Sequence, residues 1–204
     1  MSLRIRDMQF LEWSAIDLEL EAGRAVCLLG ESGSGKSLLL RAIADLILNE
    51  GVLELNGRTR ESFSPQEWRR TVGYLPAEIF WWEASVGAHF ERLPTEAELK
   101  RLRLPLESLE WVPSRLSMGE RQRLGILRML DRQPSVLLLD EPTANLDDEI
   151  SSVVESLILE YLESREAAAL WVTHSKAQAA RVAKRTYRML DKVLELADGE
   201  GAEG

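Results

Sequence analysis

The chain has 204 residues and a formal charge of −9, from 34 acidic and 25 basic side chains. Its 45% hydrophobic and 29% charged residues are the composition of one folded domain that can bury a core without staples, and they exclude a disordered chain. The acidic balance argues against a generic binder of phosphate backbones, which needs Lys and Arg to displace counterions, so no nucleic acid is expected as a partner.

In chain order, Leu3 and Ile5, then Ile16, Leu18 and Leu20, alternate with polar residues as strands of an antiparallel edge do. After the turn at Glu21-Ala22-Gly23, an unbroken apolar run to Gly30 suits a strand buried on both faces. Cys27, the only cysteine, lies within this run and reads as a small buried hydrophobe of a reducing compartment, not a nucleophile or ligand. Helical spacing of Leu39, Leu40, Ile43, Leu46 and Ile47 predicts a helix from about Lys36 to Leu48. A strand at Gly51 to Leu55 closes with the turn pair Asn56-Gly57, and a short one at Thr71 to Leu75 ends at Pro76.

From Glu83 to Leu109 the charged, Leu-punctuated sequence broken by Pro94 and Pro105 predicts two or three short helices, the centre of a helical subdomain inserted over 79–133. The second half predicts helices at about 119–132, 148–163 and 175–184, with strands at Val136 to Leu139 and Ala168 to Val172. The Gly-rich tail 198–204 is expected to be disordered. No apolar stretch approaches the roughly 20 residues needed to cross a bilayer, and the N-terminus has no signal-peptide centre. The expectation is a cytoplasmic α/β chain that is not itself a membrane pore.

Gly30-Glu31-Ser32-Gly33-Ser34-Gly35-Lys36-Ser37, followed by Leu38, is a GxxxxGK-Ser loop directly between a buried strand and a helix, the context that makes the motif specific. Its glycines let successive backbone N–H groups face one anion, Lys36 reaches the β- and γ-phosphates, and the Ser37 hydroxyl can ligate Mg²⁺. Val136-Leu137-Leu138-Leu139 delivers Asp140 and Glu141 to the carboxyl end of a central strand, where open α/β sheets bind ligands. Asp140 would hold Mg²⁺, directly or through water, and Glu141 would act as general base on the attacking water.

Leu116-Ser117-Met118-Gly119-Glu120-Arg121-Gln122-Arg123 resembles the LSGGQ signature of the ATP-binding subunits of ABC transporters. Pro142 to Asp147 resembles that family's D-loop, and Trp171-Val172-Thr173-His174 its switch segment. The resemblance implies a P-loop α/β core with a mostly parallel sheet, an N-terminal antiparallel β subdomain and a short helical insert. It implies ATP and Mg²⁺ as cofactors, and a head-to-tail homodimer in which two ATP molecules lie between Gly30 to Ser37 of one chain and Ser117, Gly119 and Glu120 of the other. Asp147 would carry contacts across that interface, and His174 would sense the γ-phosphate of its own chain. An aromatic residue stacks on adenine in this family; Phe10 is the candidate here, with Trp13 the alternate and plain core packing the rival reading. A separate transmembrane permease subunit would complete the machine and hold the chain at the cytoplasmic face of the cell membrane.

Several positions depart from the pattern. Ala77 stands where the family carries a metal-touching Gln, so Glu78 or a water would take that place, or the site would be slower and coupled differently. Met118 replaces a signature glycine and Glu120 the usual Gln, and Asn145 replaces the common Ala, for which there is no physical account. Phe80-Trp81-Trp82 reads either as binding anchors for a membrane-subunit helix or as subdomain core shared with Trp111. The compact length and the run Ala167 to His174 are similar to small ATPase subunits of iron or metal efflux systems, with lipid or peptide exporters as rivals. A soluble ATPase acting on DNA or ribosomes and a non-hydrolysing regulatory module are the other classes.

Overall fold

The computed structural model describes residues 2–190 and 193–197; the expected disorder of 198–204 lies outside them. Two sheets share one core. The first has the order β2-β1-β4-β5 and is antiparallel, built from β1 (Ser2–Phe10), β2 (Trp13–Glu21), β4 (Glu50–Leu55) and β5 (Arg58–Thr59). Asn56 and Gly57 both take positive φ (53° and 76°) and close the β4–β5 hairpin, the geometry that suits the twist of paired strands.

The second sheet has the order β10-β9-β3-β8-β7-β6. Its strands are β3 (Arg24–Leu29), β6 (Val72–Leu75), β7 (Val136–Asp140), β8 (Ala168–Val172), β9 (Arg185–Leu190) and β10 (Val193–Leu196). All neighbours are parallel except β9 and β10, so the carboxyl ends of β3, β8, β7 and β6 lie along one edge. Those ends carry Gly30, Thr173-His174, Glu141 and Pro76-Ala77.

Period-two alternation divides each central strand between two hydrophobic clusters. Val26, Leu28, Leu138, Leu170 and Val172 face the antiparallel sheet and α1 (Lys36–Ile43), where Trp68 of α2 (Pro65–Thr71) is also fully buried. Cys27, Leu29, Leu137, Leu139 and Trp171 face α4 (Met118–Asp131), α5 (Asp148–Arg165) and α6 (Lys176–Val182). Cys27 is buried as expected, and burial pushes its thiol up to about 12, far from a reactive thiolate.

Between β6 and β7 the chain makes one short helix, α3 (Glu96–Arg101), three 3₁₀ turns at Gly87–His89, Leu106–Glu110 and Pro113–Arg115, and then α4. The helical insert is therefore richer in tight turns than its Leu spacing suggested. Thr95 caps α3 through a reciprocal pair with Glu98. The helix expected from Lys36 to Leu48 ends at Ile43. Asp45 turns left-handed (φ 59°), and Leu46 and Leu48 point to solvent, so the apolar spacing runs past the buried face.

Candidate nucleotide site

α1 starts at Lys36, with Gly35 as a cap that offers no side-chain acceptor. The first N–H groups of such a helix have no carbonyl within it, and they open toward the loop. Gly33 and Gly35 hold φ of +80° and +95°, which a residue with a Cβ enters only under strain. A Cβ on Gly35 would also stand 2.8 Å from the Trp13 ring. An uncapped helix end beneath two left-handed glycines is a cradle for a polyphosphate.

Lys36 crosses the loop, its Nζ donating to the Gly30 carbonyl at 2.8 Å and the Glu31 carbonyl at 2.7 Å. Burial lowers its pKa, while Glu141 and Asp140 act in the opposite direction. Glu31, Ser32 and Gly33 form the exposed crest of the loop; Ser37 and Leu38 are half-buried, and Leu38 packs on the core.

Asp140 is buried at the end of β7 and accepts a bond from the Tyr74 hydroxyl of β6 at 3.2 Å. Glu141 follows with φ of +50°, its N–H donating to the Val172 carbonyl at 3.2 Å. That turn swings its carboxylate against His174, Oε1 to Nε2 at 2.7 Å. Ser37 and Asp140, one hydroxyl and one carboxylate, suit a cation such as Mg²⁺ that keeps most of its coordination from phosphate and water.

The second half of the expected sandwich is a separate surface. Ser117 caps α4, its Oγ accepting from Glu120 N at 3.3 Å, while its own N–H and O–H both donate to Glu120 Oε2, at 2.8 and 2.7 Å. These bonds hold the Glu120 carboxylate below the usual range, the hydroxyl bond most of all. Gly119 lies against the Asn145 carbonyl, which a Cβ would approach to 3.3 Å, so the signature helix and the D-loop turn rest on each other. Met118 is exposed and leaves that contact untouched. Asp147 is exposed and caps α5, its Oδ1 accepting from Ile150 N at 2.9 Å.

Phe10 requires a correction. It is only 2% exposed, on the core face of β1, and its ring stacks on Trp13 with centroids 5.9 Å apart and planes 5° from parallel. Both rings belong to the buried core, Trp13 itself being 8% exposed, which is the plain core-packing reading of Phe10. Trp13, the alternate, is the aromatic that touches the phosphate loop.

The Phe80-Trp81-Trp82 segment divides between its two readings. Trp81 is half-buried against the helical-side cluster, whereas Phe80 and Trp82 are each 66% exposed. His89 lies edge-on to both indoles, and its Nε2 accepts from the backbone N–H groups of Trp82 and Glu83, both at 2.9 Å. Arg128 lies 4.4 Å from the Trp81 ring centroid and donates to the Phe80 carbonyl.

Tyr74 and Gln178 touch this machinery without any motif to announce them. A tyrosine one residue before the end of β6 and a glutamine one turn into α6 carry no signal except their neighbours in space.

A glycine loop on an uncapped helix, a buried carboxylate at the next-but-one strand and a carboxylate paired with histidine define a P-loop ATP-binding protein. The chain belongs to the ABC transporter family, whose model matches residues 13–144, and it is an ATP-binding, ATP-hydrolysing subunit of that family. It is 34% identical over 193 residues to the aliphatic sulfonates import ATP-binding protein SsuB of Corynebacterium glutamicum, covering 90% of this chain and 73% of that protein. It is 32% identical over 229 residues to the arginine transport ATP-binding protein ArtP of Haemophilus influenzae, covering 98% and 93%. With the phosphate import ATP-binding protein PstB of Pyrococcus furiosus it shares 34% over 209 residues, covering 89% and 82%. Among solved structures, cbiO-2 superposes with a TM-score of 0.73 at 25% identity, covering 94% of this chain and 78% of that one. A bacterial Atm1-family ABC exporter with ATP bound shares the fold at a TM-score of 0.82 and 21% identity, covering 97% of this chain and 38% of the exporter chain.

Proposed function

We propose that two copies of this chain close head to tail on two Mg·ATP and that their opening and closing drives a separate transmembrane subunit. The observation that carries this reading is the single edge on which the parallel strands set Gly30–Ser37, Asp140–Glu141 and His174, with Glu141 and His174 2.7 Å apart. Lys36 exchanges its two loop carbonyls for phosphate oxygens. Ser37 and Asp140 would hold Mg²⁺, which would supply positive charge to the phosphates. Glu141 takes the proton of the attacking water, and His174, bonded to it, faces the γ-phosphate. Ala77 and Glu78 are exposed on the loop leaving β6, and Glu78 or a water serves where the family has Gln.

The three relatives are named for sulfonates, arginine and phosphate at 32–34% identity, so the likeness belongs to the ATP-driven engine and not to one cargo. Among the described residues no helix is long and apolar enough to cross a membrane, in keeping with a chain that works through a membrane partner at the cytoplasmic face. Phe80 and Trp82 are the anchors for that partner, since large exposed aromatics beside a cation are what protein interfaces use.

The test is Glu141→Gln. It should bind Mg·ATP, turn it over at least about a hundredfold more slowly and accumulate as a nucleotide-dependent dimer. Turnover at the parental rate refutes the assigned base, and a monomer at saturating ATP refutes the sandwich.

A further inference from the structure

Gln178 sits on α6, only 7% exposed, four residues after His174. Its Nε2 donates to Thr143 Oγ1 at 2.7 Å and to Glu155 Oε1 at 2.8 Å, which uses both amide hydrogens. Glu155 lies on α5 and is 5% exposed. A carboxylate can only accept, so it forces the NH₂ end of Gln178 inward and thereby aims the second hydrogen at Thr143. Arg181, also on α6, grips Glu155 through Nε at 3.0 Å and a terminal nitrogen at 2.7 Å, which neutralises the buried charge.

Thr143 lies in the turn that carries Glu141 at one end and Asp147 at the other. Within itself that turn has only short-range bonds, Ala144 N to the Glu141 carbonyl and Leu146 N to the Thr143 carbonyl. A cavity of about 260 Å³ lies between the turn and α6, lined by Glu141, Thr143, His174, Glu155, Gln178 and Arg181. Packing therefore does not fill the space between the turn and α6, and the Thr143–Gln178 bond spans it. The α6 end of the bond is fixed close to His174 as well: Ser175 caps α6 by accepting from Gln178 N at 3.1 Å.

We propose that Gln178 is a positioning residue for ATP hydrolysis: with Glu155 and Thr143 it ties the Glu141–Asp147 turn to the helix behind His174, and so sets how Glu141 meets His174. The bond closes a ring through Thr143, Gln178, Ser175, His174 and Glu141, so a shift of α6 is felt at the carboxylate. This rests on the assignment of Glu141 and His174 above.

The test combines amide exchange of the nucleotide-free protein with Mg·ATP kinetics. Gln178→Leu keeps the side-chain volume and loses both donors; Thr143→Val breaks the same bond from the half-exposed turn and serves if the buried variant folds poorly. Either should speed exchange in 142–148 while the melting temperature stays within about 5 °C of the parent. Either should lower kcat about tenfold with KM within about twofold, because loop contacts to nucleotide are intact. The double variant should lose no more than the worse single one, and Thr143→Ser, which keeps the acceptor, should retain parental kcat. Unchanged exchange in 142–148, parental kcat in both variants, additive losses, or failure of Thr143→Ser each overturns the proposal. If Glu141→Gln hydrolyses ATP at the parental rate, the catalytic reading fails instead, and the exchange data still decide whether the tie holds the turn.

Discussion

Glu120→Gln is expected to strengthen the ATP-dependent dimer. A serine hydroxyl has one proton, and that of Ser117 lies on the Glu120 carboxylate at 2.7 Å, with the Ser117 N–H on the same oxygen at 2.8 Å. In the proposed head-to-tail dimer the γ-phosphate of the opposing chain would present only acceptors, so Ser117 could serve it only by leaving Glu120, whose negative charge would then face the phosphate. A hydrogen bond to a charged group contributes about 1.5–3 kcal/mol, and the exposure of this one reduces the figure to about 1 kcal/mol. Two signature sites per dimer give about 2 kcal/mol, or roughly 30-fold in dimer affinity. Gln keeps an acceptor for Ser117 and adds a donor for phosphate. Its weaker cap costs the free chain about 0.5 kcal/mol, and because dimerisation gives that cap up, the loss works in the same direction. Sedimentation equilibrium with Mg·ATP, comparing Glu141→Gln with and without Glu120→Gln, measures the difference. A dimer of equal or lower affinity in the double variant would refute this account of the signature helix.

Gly35→Ala must accept φ of +95° and bring a Cβ to 2.8 Å from Trp13, so ATP affinity by calorimetry should fall at least about tenfold while the fold persists. Glu98 is held down to about 2 by the bond from Arg92, with Thr95 adding to it. A lowered carboxyl pKa stabilises above the ordinary value of 4.5 and loses that contribution as pH falls toward 2, so the gap in urea midpoint between parent and Glu98→Gln should narrow from pH 5 to pH 3. A constant gap would show that the ion pair does not contribute. Cys27, pushed up to about 12 by burial, should resist iodoacetamide in the folded protein at pH 8 and react at once in denaturant, as mass spectrometry would report.

Motifs that fix backbone geometry were legible in the sequence. The glycine loop and the apolar strands before Gly30 and Asp140 each carry their own cause, and the structure sets them where the chain order implied. Elements decided by neighbours were not. Strand β9, Arg185-Thr186-Tyr187-Arg188-Met189-Leu190, has no clean alternation and forms because β3 offers a free parallel edge. Helix α2 had a signal that went unread: Ser64-Pro65 with Glu67 is a capping box with proline in the first turn. Phe10 shows the limit most plainly, since a two-residue connection at Leu11 and Glu12 turns its ring inward onto Trp13, and nothing in the spacing distinguishes a base platform from a core residue.

The Trp13 indole, with Phe10 on one face and Gly35 at its edge, gives the molecule its own optical probe. The chain has 6 tryptophans. Trp68 and Trp171 are fully buried, and Trp81, Trp82 and Trp111 belong to the helical insert. Trp13 lies against the phosphate loop at Gly35, so its emission is expected to change when nucleotide fills the loop, whereas Trp82, exposed beside Arg128, would report a partner covering the proposed docking face. Replacing one or the other by phenylalanine would separate the two signals, and the delay between them would time how nucleotide binding at the loop reaches the face at Phe80 and Trp82.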